Sequence, residues 1–151
     1  MGFRNISHVA IGVSDMDKAL AFYRDVLGLV VSHDDTEVFG AIGDLPAHTR
    51  RGVYLRWSEG DDEAFIVLDY HDRGVAPDPK AFYAMGIHHF GFWVDSADDI
   101  HARALKAGAT VLVPPTESDS LLFGEKPGRT MRTCLLRDPD GNILQFDQRV
   151  K

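Results

Sequence analysis

Apolar and polar side chains alternate with a period of two along residues 6–13, ISHVAIGV. That period belongs to a strand with one buried face. Val9, Ile11 and Val13 fall on one side, and His8, Ala10 and Gly12 on the other. The period then lengthens, with Met16, Ala19, Leu20, Tyr23 and Leu27 recurring at helical spacing. Ser14 is placed to cap that helix, Asp15 and Asp17 suit its positive end, and Gly28 stops it. The same order of elements returns 81 residues later, where His89 and Val94 take the places of His8 and Val13. IHHFGFWVDS (87–96) predicts a strand ending at Ser96 as a second cap. Asp98 and Asp99 follow in the first turn; Ala97, Ile100, Ala104 and Ala107 form the apolar stripe, and Gly108 ends it. A strand–helix unit has been duplicated.

Each helix is followed by strand-like pieces. In the first half these are 29–33, 37–42, 52–57 and 64–70; in the second, 109–113, 130–136 and 142–148. VFGAIG predicts a β-bridge, and DLPAHTRRG after it reads as a polar insertion. The organisation is α+β in one domain over 1–151, with module one at about 4–72 and module two at about 87–148. The linker between them, about 73–86, is rich in Pro, Gly and charge. Residues 114–129, PPTESDSLLFGEKPGR, predict a long irregular loop. Asp138-Pro139-Asp140-Gly141 has type I turn chemistry and joins the last two strands as a hairpin.

Charge narrows the partners. The chain has 16 Lys and Arg against 23 Asp and Glu, a formal charge of −7, and its basic residues are scattered. That argues against nucleic acid or an anionic membrane and leaves small molecules. Cys134 is the single cysteine, so no internal disulfide forms and a reducing cytoplasm is the expected location. The first residues hold no signal-peptide apolar core, and no apolar run approaches membrane-spanning length.

With SHVAIGVSDMDKALAFYRDVLGL near the start and RDPDGNILQF near the end, the pattern resembles the vicinal oxygen chelate superfamily of glyoxalases, bleomycin resistance proteins and extradiol dioxygenases. The resemblance covers essentially the whole chain. It implies two βαβββ modules forming a cupped mixed sheet, helices outside, and commonly a homodimer. It also implies a divalent ion, Fe, Mn, Zn, Ni or Co, held from strands of both modules. The family's two histidines match His8 and His89, and its glutamate matches Gln145, a departure from the pattern. A fourth ligand found in glyoxalase-like members falls on Val67, so it is missing; a slip of register would instead bring Asp69 or Glu63 there.

Strand parity places these residues together without the family. His89, Gly91 and Trp93 share one side of their strand, and Ile143, Gln145 and Asp147 share one side of theirs. Two imidazoles and a carboxylate suit non-haem iron or a Lewis-acid metal. An amide in third place binds less strongly; it can be a ligand, or a polar lining residue that hydrogen-bonds substrate or water. Trp93 can stack a planar substrate or pack in the core. Tyr54, Arg56 and Arg132 lie on strands where one can reach a carboxylate, phosphate or phenolate, and Trp93, Arg132 and Tyr54 are the substrate-binding candidates. His88 has the opposite parity to His89; His33, His48, His71 and His101 read as solvated, Cys134 as a small buried hydrophobe, and GDDEA (60–64) as a solvated turn. Two functions follow: a metal-dependent enzyme on a small oxygenated, aromatic molecule, extradiol- or glyoxalase-like, or a non-catalytic protein that sequesters an aromatic or antibiotic-like ligand.

Overall fold

The computed structural model describes residues 7–41, 47–58, 64–72, 89–123 and 125–150. The linker, His88, Glu63 and the tips of two predicted loops lie outside them. The chain divides into two compact units, 1–77 and 78–151.

Unit one runs β1 (His8–Gly12), α1 (Met16–Leu20) continued by a π-helical stretch (Ala21–Val26), β2 (Val30–Phe39), β3 (His48–Arg56) and β4 (Phe65–His71). Its sheet has the order β1-β4-β3-β2, with β1 parallel to β4 and the other pairs antiparallel. Unit two repeats this as β5 (Phe90–Trp93), α2 (Ala97–Lys106), β6 (Val111–Asp119), β7 (Thr130–Arg137) and β8 (Ile143–Arg149), in the order β5-β8-β7-β6. Each unit is a βαβββ module.

The repeat extends to single hydrogen bonds. Val13 N–H donates to Asp69 O at 2.9 Å, and Val94 N–H donates to Asp147 O at 2.9 Å. Ala10 faces Val67 across the parallel pair as Gly91 faces Gln145. Gly28 and Gly108 both take positive φ, 86° and 76°, the left-handed C′ conformation that a side chain would strain. The caps differ from expectation in one module. Ser96 Oγ accepts from Asp99 N–H as predicted, but in unit one the cap is Asp15, whose Oδ1 accepts from Lys18 N–H. Asp15, not Ser14, stands at the place of Ser96, one residue before the first helical residue.

Each sheet buries apolar side chains under its helix, and Val67, Met131, Leu135 and Ile143 are buried on the opposite face. Ile11, Val53, Leu55, Ile66 and Leu68 are buried with Ala19, Leu20 and Tyr23 of the first helix. Cys134, Leu136, Leu144 and Phe146 are buried with Ala97, Ile100 and Ala104 of α2, while Ala107 is exposed. Cys134 is fully buried, its Sγ donating to Ala97 O, and burial, with the Asp147 and Asp98 charges next, pushes its thiol up to about 11. The folded state therefore favours the protonated thiol: the stability this contributes is whole below about pH 9 and is lost as pH rises toward 11. Native protein at pH 8 is expected to resist iodoacetamide and to react at one site per chain once urea unfolds it; fast native alkylation, read by mass, would contradict this burial.

Strands that the pattern broke are continuous. β2 runs unbroken through Asp34, Asp35 and Thr36, and β3 begins at His48, inside the predicted polar insertion. Cross-strand ion pairs hold this charged edge: Arg51 grips Asp34 through two N–H donors at 3.0 and 2.8 Å, and Arg50 donates to Glu37 at 3.2 Å. Similarly, 114–119 belongs to β6 rather than to a loop, with Ser120–Phe123 a short 3₁₀ turn. Pro114 and Pro115 fit because β6 is an edge strand and its register breaks between Val113 and Thr116, where missing N–H groups cost no ladder bonds.

Candidate functional site

The second face of each sheet, away from its helix, holds the predicted site residues His8, Tyr54, Trp93 and Gln145. In unit one the register puts His8, Phe65, Val67, Asp69, Arg50, Gly52, Tyr54 and Arg56 on this distal face. His33 joins them because the β2 register shifts between Val31 and His33, which moves it opposite Tyr54. His33, His48 and His71 are thus strand residues, and the His48 and His71 rings lie 4.9 Å apart. His8 is exposed, stacks on Phe65 at 5.2 Å and lies with Nδ1 3.0 Å from Ser7 Oγ. In the tautomer that donates from Nδ1 to that hydroxyl, the lone pair stands at Nε2.

In unit two His89 stands half-buried one residue ahead of β5. The β5–β8–β7 register gives Gly91, Trp93, Gln145, Asp147, Thr133 and Arg149 a common distal face. Gln145 Nε2 donates to both Asp147 oxygens at 3.0 Å, and Thr133 Oγ1 donates to Asp147 Oδ1 at 2.7 Å. A carboxylate only accepts, so the nitrogen end of the amide must face Asp147, and Oε1 is the end turned off it. A Cβ at Gly91 would sit 3.5 Å from Asp147 Oδ2, in ordinary van der Waals contact. Trp93 is 57% exposed, with the Arg149 guanidinium 4.2 Å over its ring and Phe123 at 6.2 Å. Arg149 is itself forked onto Glu125, at 2.7 and 2.6 Å.

Arg132 is not with them. It lies on the helix face of β7 and clasps Asp98 of α2 through two N–H donors at 2.6 and 2.8 Å, holding that carboxyl below its usual range. Arg132 thus ties the helix to its sheet. Arg56 lies on the distal face of β3, its Cζ 4.6 Å over the Phe65 ring. The sequence named Arg56 without deciding its side; the sheet register decides it.

Val67 stands where unit one would repeat Gln145, so the alignment needed no slip. Its neighbour Asp69, the counterpart of Asp147, is closed by Arg50, whose Nε donates at 2.6 Å. Among the described residues no three His, Cys, Asp or Glu side chains gather at metal-ligating spacing. Imidazole nitrogen and amide oxygen are neutral donors that suit borderline divalent ions, and the amide lies outside that count. The orientation of Gln145 and the Nδ1 contact of His8 fit such a role.

Residues 5–146 match the model of the Glyoxalase/Bleomycin resistance protein/Dioxygenase superfamily. The chain belongs to that superfamily. It is 28% identical over 148 residues to an uncharacterised protein of Pseudomonas aeruginosa, covering 93% of this chain and 86% of that one. It is 26% identical over 153 residues to the probable lactoylglutathione lyase of Vibrio cholerae, covering 98% and 93%. A glyoxalase-family protein of Bacillus cereus shares the superfamily fold with it at a TM-score of 0.80 and 17% identity, over 100% of this chain and 97% of that one. Among this chain's described residues no helix is long and apolar enough to cross a membrane.

Proposed function

We propose that this protein is a metal-dependent enzyme acting on a small, planar, oxygenated molecule, with His8, His89 and Gln145 holding the divalent ion. The observation that supports this best is the Gln145–Asp147 pair. Asp147 is buried, 6% exposed, and spends both oxygens fixing the amide nitrogen. An amide pinned in this way offers its oxygen in one direction, as a ligand must. The ion supplies Lewis-acid polarisation of vicinal substrate oxygens, or oxygen chemistry if it is iron. The residues do the rest: His8 and His89 give neutral nitrogens, Asp147 orients Gln145, and Tyr54 and Trp93 offer rings to a planar substrate. The likeness to the probable lactoylglutathione lyase of Vibrio cholerae supports a glyoxalase-like reaction; the rings on the distal faces support an aromatic, extradiol-like substrate. A homodimer in the cytoplasm completes the reading.

A second reading has its own support, because a neutral amide holds a cation less firmly than a carboxylate does. In it the same faces sequester an aromatic or antibiotic-like ligand without metal. Elemental analysis of protein purified without chelator separates the two. About one Fe, Mn, Zn, Ni or Co per chain is the expected result; no metal, and no rise in Tm on adding any of them, would favour the binder.

A further inference from the structure

We propose that Thr133 is a positioning residue: by anchoring Asp147 it fixes the direction in which Gln145 offers its oxygen, and it leaves the Asp147 charge standing behind that oxygen for a cation. This rests on the reading of Gln145 as a ligand and adds what sets its strength. The two modules place one carboxylate alike and treat it differently. Asp69 lies opposite Gly52, and Asp147 lies opposite Thr133. In unit one Arg50 fills the space over Gly52: a Cβ there would meet its guanidinium at 2.8 to 3.1 Å, and its Nε and Nη2 both lie 2.6 Å from Asp69 Oδ1. A cation of the same module thus closes Asp69. In unit two the buried Met131 stands in the place of Arg50, and Thr133 in that of Gly52. No cation among the described residues pairs with Asp147: Arg132 holds Asp98, and Arg149 holds Glu125. Its donors are Thr133 Oγ1 at 2.7 Å and Gln145 Nε2 at 3.0 Å from each oxygen.

Neutral donors satisfy a buried carboxylate without cancelling its charge, whereas a guanidinium cancels it. Asp147 is 6% exposed, so water screens its charge little. The amide beside it is aligned with that field, with N–H toward the carboxylate and Oε1 turned off it. A cation at Oε1 meets the negative end of the amide dipole with a carboxylate behind it, an outer-shell arrangement that strengthens a neutral ligand. Such an alignment needs an anchor outside the pair. Gln145 and Asp147 stand two apart on one strand, both with rotatable side chains, and neither fixes the other alone. Thr133 comes from the neighbouring strand, directly opposite Asp147, and a β-branched side chain is stiff at χ1. The sheet therefore aims its hydroxyl. That hydroxyl keeps Asp147 in one rotamer, and Asp147 keeps Gln145 in one.

The test uses the ¹⁵N-labelled full chain as wild type, Thr133→Val, Thr133→Ser and Asp147→Asn. Two quantities are read: the Gln145 side-chain amide signal without metal, and Co²⁺ affinity by calorimetric titration. Valine keeps the shape of threonine and removes its hydroxyl; serine keeps the hydroxyl. Wild type is expected to show a Gln145 amide pair shifted from the free-glutamine position and slow to exchange with water. Thr133→Val should move that pair to the free position and lower Co²⁺ affinity by about tenfold or more. Thr133→Ser should restore the signal and bring the affinity to within about threefold of wild type. Asp147→Asn keeps an acceptor and loses the charge, and should lower the affinity by at least as much as Thr133→Val. A Thr133→Val signal like that of wild type overturns the proposal, and so does a freed amide with Co²⁺ affinity unchanged. An amide freed in valine and serine variants alike means that Thr133 only packs, which overturns it too. Co²⁺ bound by Asp147→Asn as tightly as by wild type overturns the part given to charge. Wild type that binds no ion, with the amide freed by valine and restored by serine, sinks the ligand reading of Gln145 and upholds the anchor.

Discussion

Gln145→Glu is expected to weaken the metal-free protein and to tighten its hold on a divalent ion. The two effects have one cause. Gln145 Nε2 now donates to both oxygens of a buried carboxylate at 3.0 Å. Glutamate removes that donor and sets a second carboxylate beside the first. An acceptor stripped of its partner costs about 1–3 kcal/mol, and like charges in contact add to it. A divalent ion at Oε of residue 145 offsets the repulsion and gains a full negative charge in place of a dipole. We expect a urea midpoint well below wild type without metal, affinity for Co²⁺ or Mn²⁺ raised by about tenfold or more, and a larger metal-induced rise in Tm than wild type shows. A variant less stable without metal but no tighter with it would remove residue 145 from the ligands. Unchanged metal-free stability would mean the Gln145–Asp147 contact is not formed in solution.

Asp138→Ala is expected to cost about 2–4 kcal/mol, among the larger single losses open to a residue away from the core. Asp138 is 5% exposed. Its Oδ1 accepts from Asp140 N–H at 3.0 Å and Asn142 N–H at 2.7 Å, and its Oδ2 accepts from Asn142 Nδ2 at 2.8 Å. Gly141 N–H closes the turn onto Asp138 O at 3.0 Å, with Gly141 at φ 87°. This carboxylate sets where β8 begins, and therefore which face Gln145 occupies, since a slip of one residue exchanges the faces. The loss should appear in chemical unfolding, and Asp138→Asn, which keeps one acceptor oxygen, should recover part of it. Metal affinity should fall with stability in Asp138→Ala; full affinity in a destabilised variant would separate the turn from the site.

Local period made the two modules legible, and single residues show where it stopped. β1 and β5 alternate in exposure, and Leu144, Gln145 and Phe146 alternate at the start of β8, so His8, Gln145 and Trp93 could be assigned sides in advance. β2 could not be read whole, because its middle, Asp34-Asp35-Thr36-Glu37, is stabilised by Arg50 and Arg51 of β3, partners with no local signal. The Pro114-Pro115 pair argued for a loop, and only an edge position with a broken register makes it strand. The same limit governed the arginines. Arg56 and Arg132 both sit on strands, and their sides depend on register across the sheet: one lies over Phe65, the other on Asp98 of a helix. The capping exchange at Asp15 is a one-residue matter, settled by where the first helical turn closes. The Gln145–Asp147 bond was foreseeable from spacing on one strand, since residues two apart share a face.

Under the proposed function the side chains of residues 8, 89 and 145 bind one ion, and paramagnetic broadening tests this directly. Mn²⁺ is added below one equivalent to protein labelled with ¹⁵N, and the histidine ring and glutamine side-chain signals are followed. The account predicts that His8, His89 and Gln145 broaden together and first, while His33, His48, His71 and His101 persist. Loss of the His48 and His71 signals ahead of these, or broadening of His8 without His89, would contradict it.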